Sequence, residues 1–353
     1  MAVPTENRTS RKAAATLADV ARAAGVSVST AGRVLRDDGW PVEEALKRRV
    51  LAAAEQVSYV RNAMARTLRG GVSAPLVGLV IGNMLDPYYG EIGEAVTRYS
   101  ELANKMPVMV CNMQRDPRLE LEYCQRLWEH RVAGLILAGG GFDQFTHRGE
   151  LASLVQRMER SGVVVTTLSP RELAPAVGFH MDNVQVGRLA ASELLAHGHR
   201  RLGLVVGPIH NRVLQQRVDG ALARCAEAGI ACHLAETDSF GPAWIQRAVA
   251  QLFEAHPDIT GIVAASGVTS LNASHAVAAT GRTVPGDVSV IGVGGEAIAQ
   301  WCIPEITRVD LALDVCGKAA LDYIAARVNG SDRPADFSLE PRIVPGGSVA
   351  TLG

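Results

Sequence analysis

Apolar residues recur at helical spacing through the first sixty positions and in short continuous runs thereafter, and this change of period divides the chain. Leu17, Val20, Ala21 and Ala24 fall at i, i+3, i+4 and i+7, one face of a short helix. Thr16 and Asp19 have capping-box spacing at its start, and Gly25 supplies its stop. After a Gly25-Val26 turn, Ser27 can cap a second helix whose apolar side is Thr30, Ala31, Val34 and Leu35, leaving Val28, Ser29 and Arg33 outward. A third amphipathic segment runs from Pro41 to Val57, with proline at a first helical position and Leu46, Val50, Ala53 and Val57 inward. The pattern predicts an all-α helix-turn-helix head over residues 16–60, behind a flexible polar arm at 1–15.

From Leu76 the apolar positions cluster into the runs LVGLVI, PVMVC, GLILA and VVVTTL, separated by helix-length segments. A second series, RLGLVVG, GIVAA and VSVIGV, repeats the alternation, so residues 75–353 are expected to form an α/β body of two doubly wound lobes. Between head and body, NAMARTL and the following Gly70, Gly71, Val72 and Ser73 predict a hinge helix and linker over 61–74. A helix of about two turns is too short to be stable alone, since isolated helices below roughly 12 residues are marginal in water.

Composition adds a charge asymmetry. The 353 residues carry a net charge of -1, with 48% apolar and 20% charged residues, an ordinary globular composition. Residues 1–73 hold twelve Lys and Arg against seven Asp and Glu, a charge of +5, which leaves -6 for the body. A basic head on an acidic body suggests a polyanion partner for the head, although a solvated surface would give the same balance. The start MAVPTENRTSRKAAA has no apolar signal core, and no run approaches the roughly 18 apolar residues of a membrane span, so a cytoplasmic protein is expected. The six cysteines lack C-x-x-C spacing, which argues against a zinc site or a redox pair. No P-loop, G-x-S-x-G or H-E-x-x-H pattern is present, and neither a catalytic residue nor a cofactor is expected. His197 and His199, in HGHRRLG, are read as helix-end caps.

The wording of the head is more specific than its periodicity. T-L-x-D-V-A-x-x-A-G-V-S-x-S-T-x-x-R-V-L, followed by V-S-Y-V-x-N-x-x-A-x-x-L at Val57 to Leu68, resembles the DNA-binding head of the lactose/galactose repressor (LacI/GalR) family of bacterial transcriptional regulators. The body is similar to that family's periplasmic-binding-protein-like sensor, with landmarks DPYYGEIGEAV, VAGLILAG, QQRVDGALARC and TVPGDVSVIGV. The resemblance implies a homodimeric transcription factor, a repressor, binding a palindromic double-stranded operator under the control of a small metabolite. The alternative class is an α/β metabolite-binding protein or enzyme without sequence-specific DNA binding.

In such a head the second helix enters the major groove, which makes Val28, Ser29 and Arg33 the base-reading positions. Thr16, Ser27 and Thr30, with Arg8, Arg11 and Lys12, would position phosphates. The resemblance also implies that paired hinges containing Asn62 enter the minor groove with Leu68 as a wedge; otherwise Leu68 packs on its own subunit. Ala31 and Gly32 replace a β-branched residue and a serine usual in the family, and a mid-helix glycine costs roughly 1 kcal/mol relative to alanine. Arg61 replaces the proline that commonly precedes the hinge asparagine.

In the body, the same resemblance places Tyr88, Tyr89, Asn211, Arg217 and Phe240 at an effector cleft, the tyrosines being as compatible with a structural role. The cleft departs from sugar-responsive relatives at Ser266-Gly267, where an Asn-Asp pair is usual, and at Gly292 to Gly295, where G-F-D-x is usual. With those acceptors missing near Arg217, an anionic ligand is expected, either a sugar acid or another acidic metabolite. The stretches GGEAIAQ and PGGSV resemble the gluconate-repressor branch.

Overall fold

The computed structural model describes residues 15–36, 42–59, 75–139, 147–208, 211–331 and 337–352. The chain divides into two compact units, 1–73 and 74–353.

In the first unit, α1 (Leu17–Ala24), α2 (Val28–Arg36) and α3 (Glu44–Gln56) surround a small core of Val20, Ala21, Ala24, Ala31, Val34, Val50, Ala53 and Ala54. The inner positions are small because short helices must approach closely to exclude water from so few side chains. The capping box forms as the Thr16/Asp19 spacing requires, and Gly25 ends α1 in the left-handed region at φ 63. The third helix begins at Glu44, three residues after the expected Pro41, which lies outside the described residues. Leu46 and Val57 are only half-buried, and Ala54 is buried instead.

The second unit holds two sheets. The first has β1 (Val77–Ile81), β2 (Val108–Asn112), β3 (Gly134–Leu137), β4 (Val164–Thr167) and β5 (Val177–Gly178), ordered β2-β1-β3-β4-β5 and parallel throughout. It carries α4 (Pro87–Tyr99), which runs into a π-helical turn at Ser100–Asn104, then α5 (Pro117–Glu129) and α6 (Arg148–Arg160). The second lobe contains α7 (Asn183–Ala196), β6 (Leu202–Val206), α8 (Arg212–Glu227), β7 (Cys232–Glu236), α9 (Pro242–Ala255), β8 (Gly261–Ala264), α10 (Gly267–Ala279), β9 (Ser289–Val293), α11 (Glu296–Trp301) and β10 (Thr307–Asp310). Its sheet is ordered β11-β10-β9-β8-β6-β7, with β11 (Arg342–Val344) antiparallel at one edge. Central strands such as β1, β6 and β9 are buried along their length, as expected when helices cover both faces of a parallel sheet.

The lobes are not consecutive in sequence. After β10 the chain returns to the first lobe as α12 (Leu313–Val328), whose Cys316, Ala320, Leu321 and Ile324 complete the core containing Val77, Leu79 and Ile92. Gly134 is required there, because a Cβ would lie 2.4 Å from Cγ2 of Ile324. The chain then crosses again to add β11 to the second sheet. Strands β5, β7, β10 and β11 were not among the expected runs: they are short or edge strands, or carry polar residues such as His233 and Arg308.

His197 donates its backbone N–H to Glu193 O at the end of α7, as a cap should. His199 closes the same helix end, its backbone N–H donating to Leu194 O at 3.1 Å just after the left-handed Gly198. It is buried, its Nε2 donates to Ala350 O at 3.0 Å, and its Nδ1 therefore accepts from Thr260 Oγ1 at 3.0 Å. Its side chain thus also ties the C-terminal segment to β8's entry. No helix among the described residues is long and apolar enough to cross a membrane.

Candidate functional site

In the head, Ser27 Oγ accepts from Thr30 N at 3.1 Å, satisfying one of the N–H groups left over at the start of α2. The same hydroxyl lies 2.8 Å from both Ser29 Oγ and Thr30 Oγ1, so three hydroxyls are joined where the helix begins. Val28, Ser29 and Arg33 are exposed together, whereas Ala31 and Val34 are buried. The burial pattern therefore presents to solvent an apolar and a hydroxyl group in the first turn and a guanidinium group about one turn on. Thr16 is committed to its cap: its Oγ1 donates to Asp19 at 2.6 Å and accepts from Asp19 N at 3.3 Å. The Thr16 hydrogen bonds hold the Asp19 carboxyl below its ordinary range. Gly32 lies against α1, and a Cβ there would meet Leu17 Cδ2 at 3.3 Å. Asn62 and Leu68 lie outside the described residues, as do Arg8, Arg11, Lys12 and Arg61.

In the body, strands β1 and β6 are each followed at once by a glycine with an aromatic ring laid across it. A Cβ at Gly82 would sit 2.3 Å from the Tyr89 hydroxyl, and one at Gly207 would sit 2.3 Å from the Phe240 ring. The two rings thus reach the crevice beyond the carboxyl ends of the strands, where ligands bind in α/β folds. Three helices begin there. Asp86 caps α4 by accepting from Tyr88 N at 3.2 Å, Asn211 caps α8 by accepting from Val213 N at 2.8 Å, and Ser266 caps α10 by accepting from Thr269 N at 3.2 Å. Together they border a cavity of about 230 Å³ with mostly apolar walls, into which Tyr88, Tyr89, Asn211, Arg217 and Phe240 all converge.

Arg217 is the buried charge of this cavity, with 5% of its surface exposed. Its Nε donates to Asn183 Oδ1 at 2.9 Å and its Nη1 to Ala265 O at 2.8 Å. Asn183 is itself oriented by donating Nδ2 to Met181 O at 3.2 Å. Burial pushes the guanidinium down to about 10, and both of its hydrogen-bond partners are neutral oxygens. Tyr88 and Tyr89 meet edge to face with centroids 5.0 Å apart. Burial pushes the Tyr88 phenol up to about 12, and Tyr89 shifts in the same direction for the same reason. Both stay neutral donors at physiological pH.

A second arginine, not anticipated from the sequence, enters from the first lobe. Gln114 and Arg115, at φ 53 and φ 58, occupy the left-handed region that non-glycine residues seldom adopt. The bend is held by Arg115 N donating to Gly82 O at 2.7 Å. It directs the side chain so that Nη2 donates to Asp86 Oδ2 at 2.8 Å while the guanidinium covers Phe240. The opposite wall is backbone. Gly267 and Gly295 pack against each other so closely that a Cβ on either would lie 2.7 Å from the other's Cα.

Comparison with known proteins agrees with this division. Residues 16–62 match the bacterial regulatory proteins of the lacI family, and residues 191–349 match a periplasmic binding protein-like domain. The ribose operon repressor of Bacillus subtilis (strain 168) is 30% identical over 307 residues, covering 87% of this chain and 89% of that protein. This chain belongs to the lacI family. The HTH-type transcriptional repressor PurR of Aliivibrio fischeri (strain MJ11) is 25% identical over 349 residues, covering 95% of this chain and 98% of its own. Among solved structures, the lac repressor dimer bound to operator and the anti-inducer ONPF has a TM-score of 0.79 at 21% identity, covering 96% of this chain and 99% of that one.

As a lacI-family regulator, the chain brings the expected effector residues to one cavity and the expected reading residues to one helix face. The members missed by sequence are Asp86, Arg115 and Ser169 of the lining, and Asn183, which holds Arg217. A signal existed for Asp86, since Asp-Pro is a helix-start pair that recurs at Asp116-Pro117, and Asp116 likewise caps α5. No sequence signal marks the left-handed bend at Arg115.

Proposed function

We propose that this lacI-family regulator is a repressor that binds a roughly palindromic DNA operator as a homodimer, under the control of a small acidic metabolite in the interlobe cavity. The observation that carries the DNA reading is the shared exposed face of Val28, Ser29 and Arg33 on a helix whose other side is core. Arginine can grip a guanine edge through two hydrogen bonds, serine can donate or accept, and valine can pack on a thymine methyl. Ser27, Thr30 and Thr16 would stand beside the phosphates, and hinges containing Asn62 and Leu68 would pair in the minor groove with Leu68 as the wedge.

Dimerisation is supported by apolar side chains left on the body's surface, among them Leu102, Met109 and Val110 at the π-turn and edge strand β2, and Trp301, which is 75% exposed. An acidic effector, a sugar acid or another small carboxylate, is supported by Arg217, whose buried charge has only neutral hydrogen-bond partners among the described residues. Binding between the lobes would change their closure, and through it the spacing of the two heads.

Selection of bound sequences from a random DNA pool, repeated at two salt concentrations, tests the reading. A palindromic consensus with affinity falling steeply as salt rises is the expected result. A folded dimer that enriches no sequence would refute it.

A further inference from the structure

We infer that the effector is a small carboxylate with a flat apolar body, of the benzoate or phenylpropenoate type, its carboxyl group on Arg217 and its body between the aromatic and aliphatic walls of the cavity. The inference rests on the proposal that this cavity is the effector site, and it names the chemical class.

The first argument is the state of the polar groups. Asp86, the one carboxylate among the described lining residues, is already engaged by Tyr88 N and by Arg115. The Asn211 carbonyl oxygen is spent on Val213 N, and the Ser266 hydroxyl on Thr269 N and Thr269 Oγ1. What remains around the cavity is a set of groups able to donate: Arg217 beyond its two bonds, the Asn211 amide, the tyrosine hydroxyls, and Ser169. Ser169 Oγ is buried with no hydrogen-bond partner, a cost that a ligand oxygen would remove. A site rich in donors, whose carboxylate and side-chain amide oxygen are already committed, fits a carboxylate. The N-termini of α8 and α10, facing the same space, add to the preference for negative charge.

The second argument is the wall. A polyol needs a partner for each hydroxyl stripped of water, and acceptors most of all. Two of the cavity's wall positions, Gly267 and Gly295, pack so closely that neither has room for a side chain able to project an acceptor. Val213, Val268, Val293 and Ile298 line the rest, with Tyr88 and Phe240 offering aromatic surface. Such a surface rewards a flat apolar body and leaves sugar hydroxyls unpaired.

The test is calorimetric titration of the full-length protein with benzoate, trans-cinnamate, cinnamamide, gluconate, ribose and hypoxanthine. The expected result is binding of an aromatic carboxylate ahead of the other compounds, with the neutral amide weaker by about tenfold or more, the worth of a charged hydrogen bond. In Arg217→Gln, checked for folding by thermal melting, the carboxylate should lose that advantage over its amide. Gluconate binding more tightly than the aromatic acids would overturn the inference and leave the acidic-effector reading standing. Ribose or hypoxanthine binding most tightly would overturn both. Failure of both aromatic acids to bind at millimolar concentration, or cinnamate binding unchanged in Arg217→Gln, would also overturn the inference.

Discussion

The guanidinium carbon of Arg115 lies 5.2 Å from the ring centroid of Phe240, so a side chain that leaves the first lobe is seated on a ring of the second. Because Asp86 holds the same guanidinium at 2.8 Å, the contact fastens the lobes across the cavity mouth. Removing it should loosen the closed form. In Arg115→Ala, effector affinity should fall several-fold, as loss of a partly desolvated cation–π contact of about 1–2 kcal/mol implies. Phe240→Leu should give a similar loss, and the double variant less than the sum, which titration of the four proteins would measure. Strict additivity would mean that the two residues act separately.

Arg33→Ala should weaken operator binding by about 1–3 kcal/mol and relax the preference at one base pair, the usual worth of a bidentate base contact. Competition binding with singly substituted operators distinguishes this from a phosphate contact, whose loss would weaken every sequence alike.

Gly32→Ala tests the atypical residue in α2. Alanine is favoured over glycine within a helix by about 1 kcal/mol. The new methyl meets only the flexible end of Leu17, at 3.3 Å, which can move by the small amount needed. Thermal or denaturant unfolding of the head should therefore show a gain of up to about 1 kcal/mol, and a loss would mean that Leu17 is fixed.

Gly295→Ala should damage effector response while sparing operator affinity. Gly295 has φ 69, a conformation that costs a non-glycine residue about 1–2 kcal/mol, and its Cβ would press on Gly267 Cα. Titration with the effector identified by screening, alongside a gel-shift measurement, separates the two properties.

Burial lowers the pKa of His199. The unfolded chain therefore takes up its proton at higher pH than the folded one, so the body's stability should be full above the ordinary histidine value of about 6.5 and decline as pH falls below it. Melting curves between neutral and mildly acidic pH should show this slope, and His199→Gln should flatten it.

The legible parts were those whose residues act locally. Thr16 and Asp19 meet three positions apart, and the outward set Val28, Ser29 and Arg33 follows from the buried Ala31 and Val34. The strands βαβ patterning marks best were the buried ones, such as β1 and β9, whose continuous apolar runs leave no doubt about their period. The cavity was legible through its aromatic and arginine positions only by resemblance. Arg115 depends on a left-handed bend fixed by Gly82 O, and Asn183 on a contact 34 residues away in sequence, neither of which a local pattern records. Strand β7 reads CHLAE, partly exposed at a sheet edge, and carries no clear alternation.

The return of α12 to the first lobe sets an order of assembly on the ribosome. Val77, Leu79 and Ile92 emerge early, yet the surface that covers them, Cys316 to Ile324, is made after nearly the whole second lobe. Once Ile92 has been made, the first lobe's face must stay open until the 232 further residues to Ile324 have been synthesised, roughly 12 to 46 s at ordinary elongation rates. A truncated product ending before Leu313 would thus expose that face permanently, which makes the 3′ end of the coding sequence as decisive for the first lobe as its beginning.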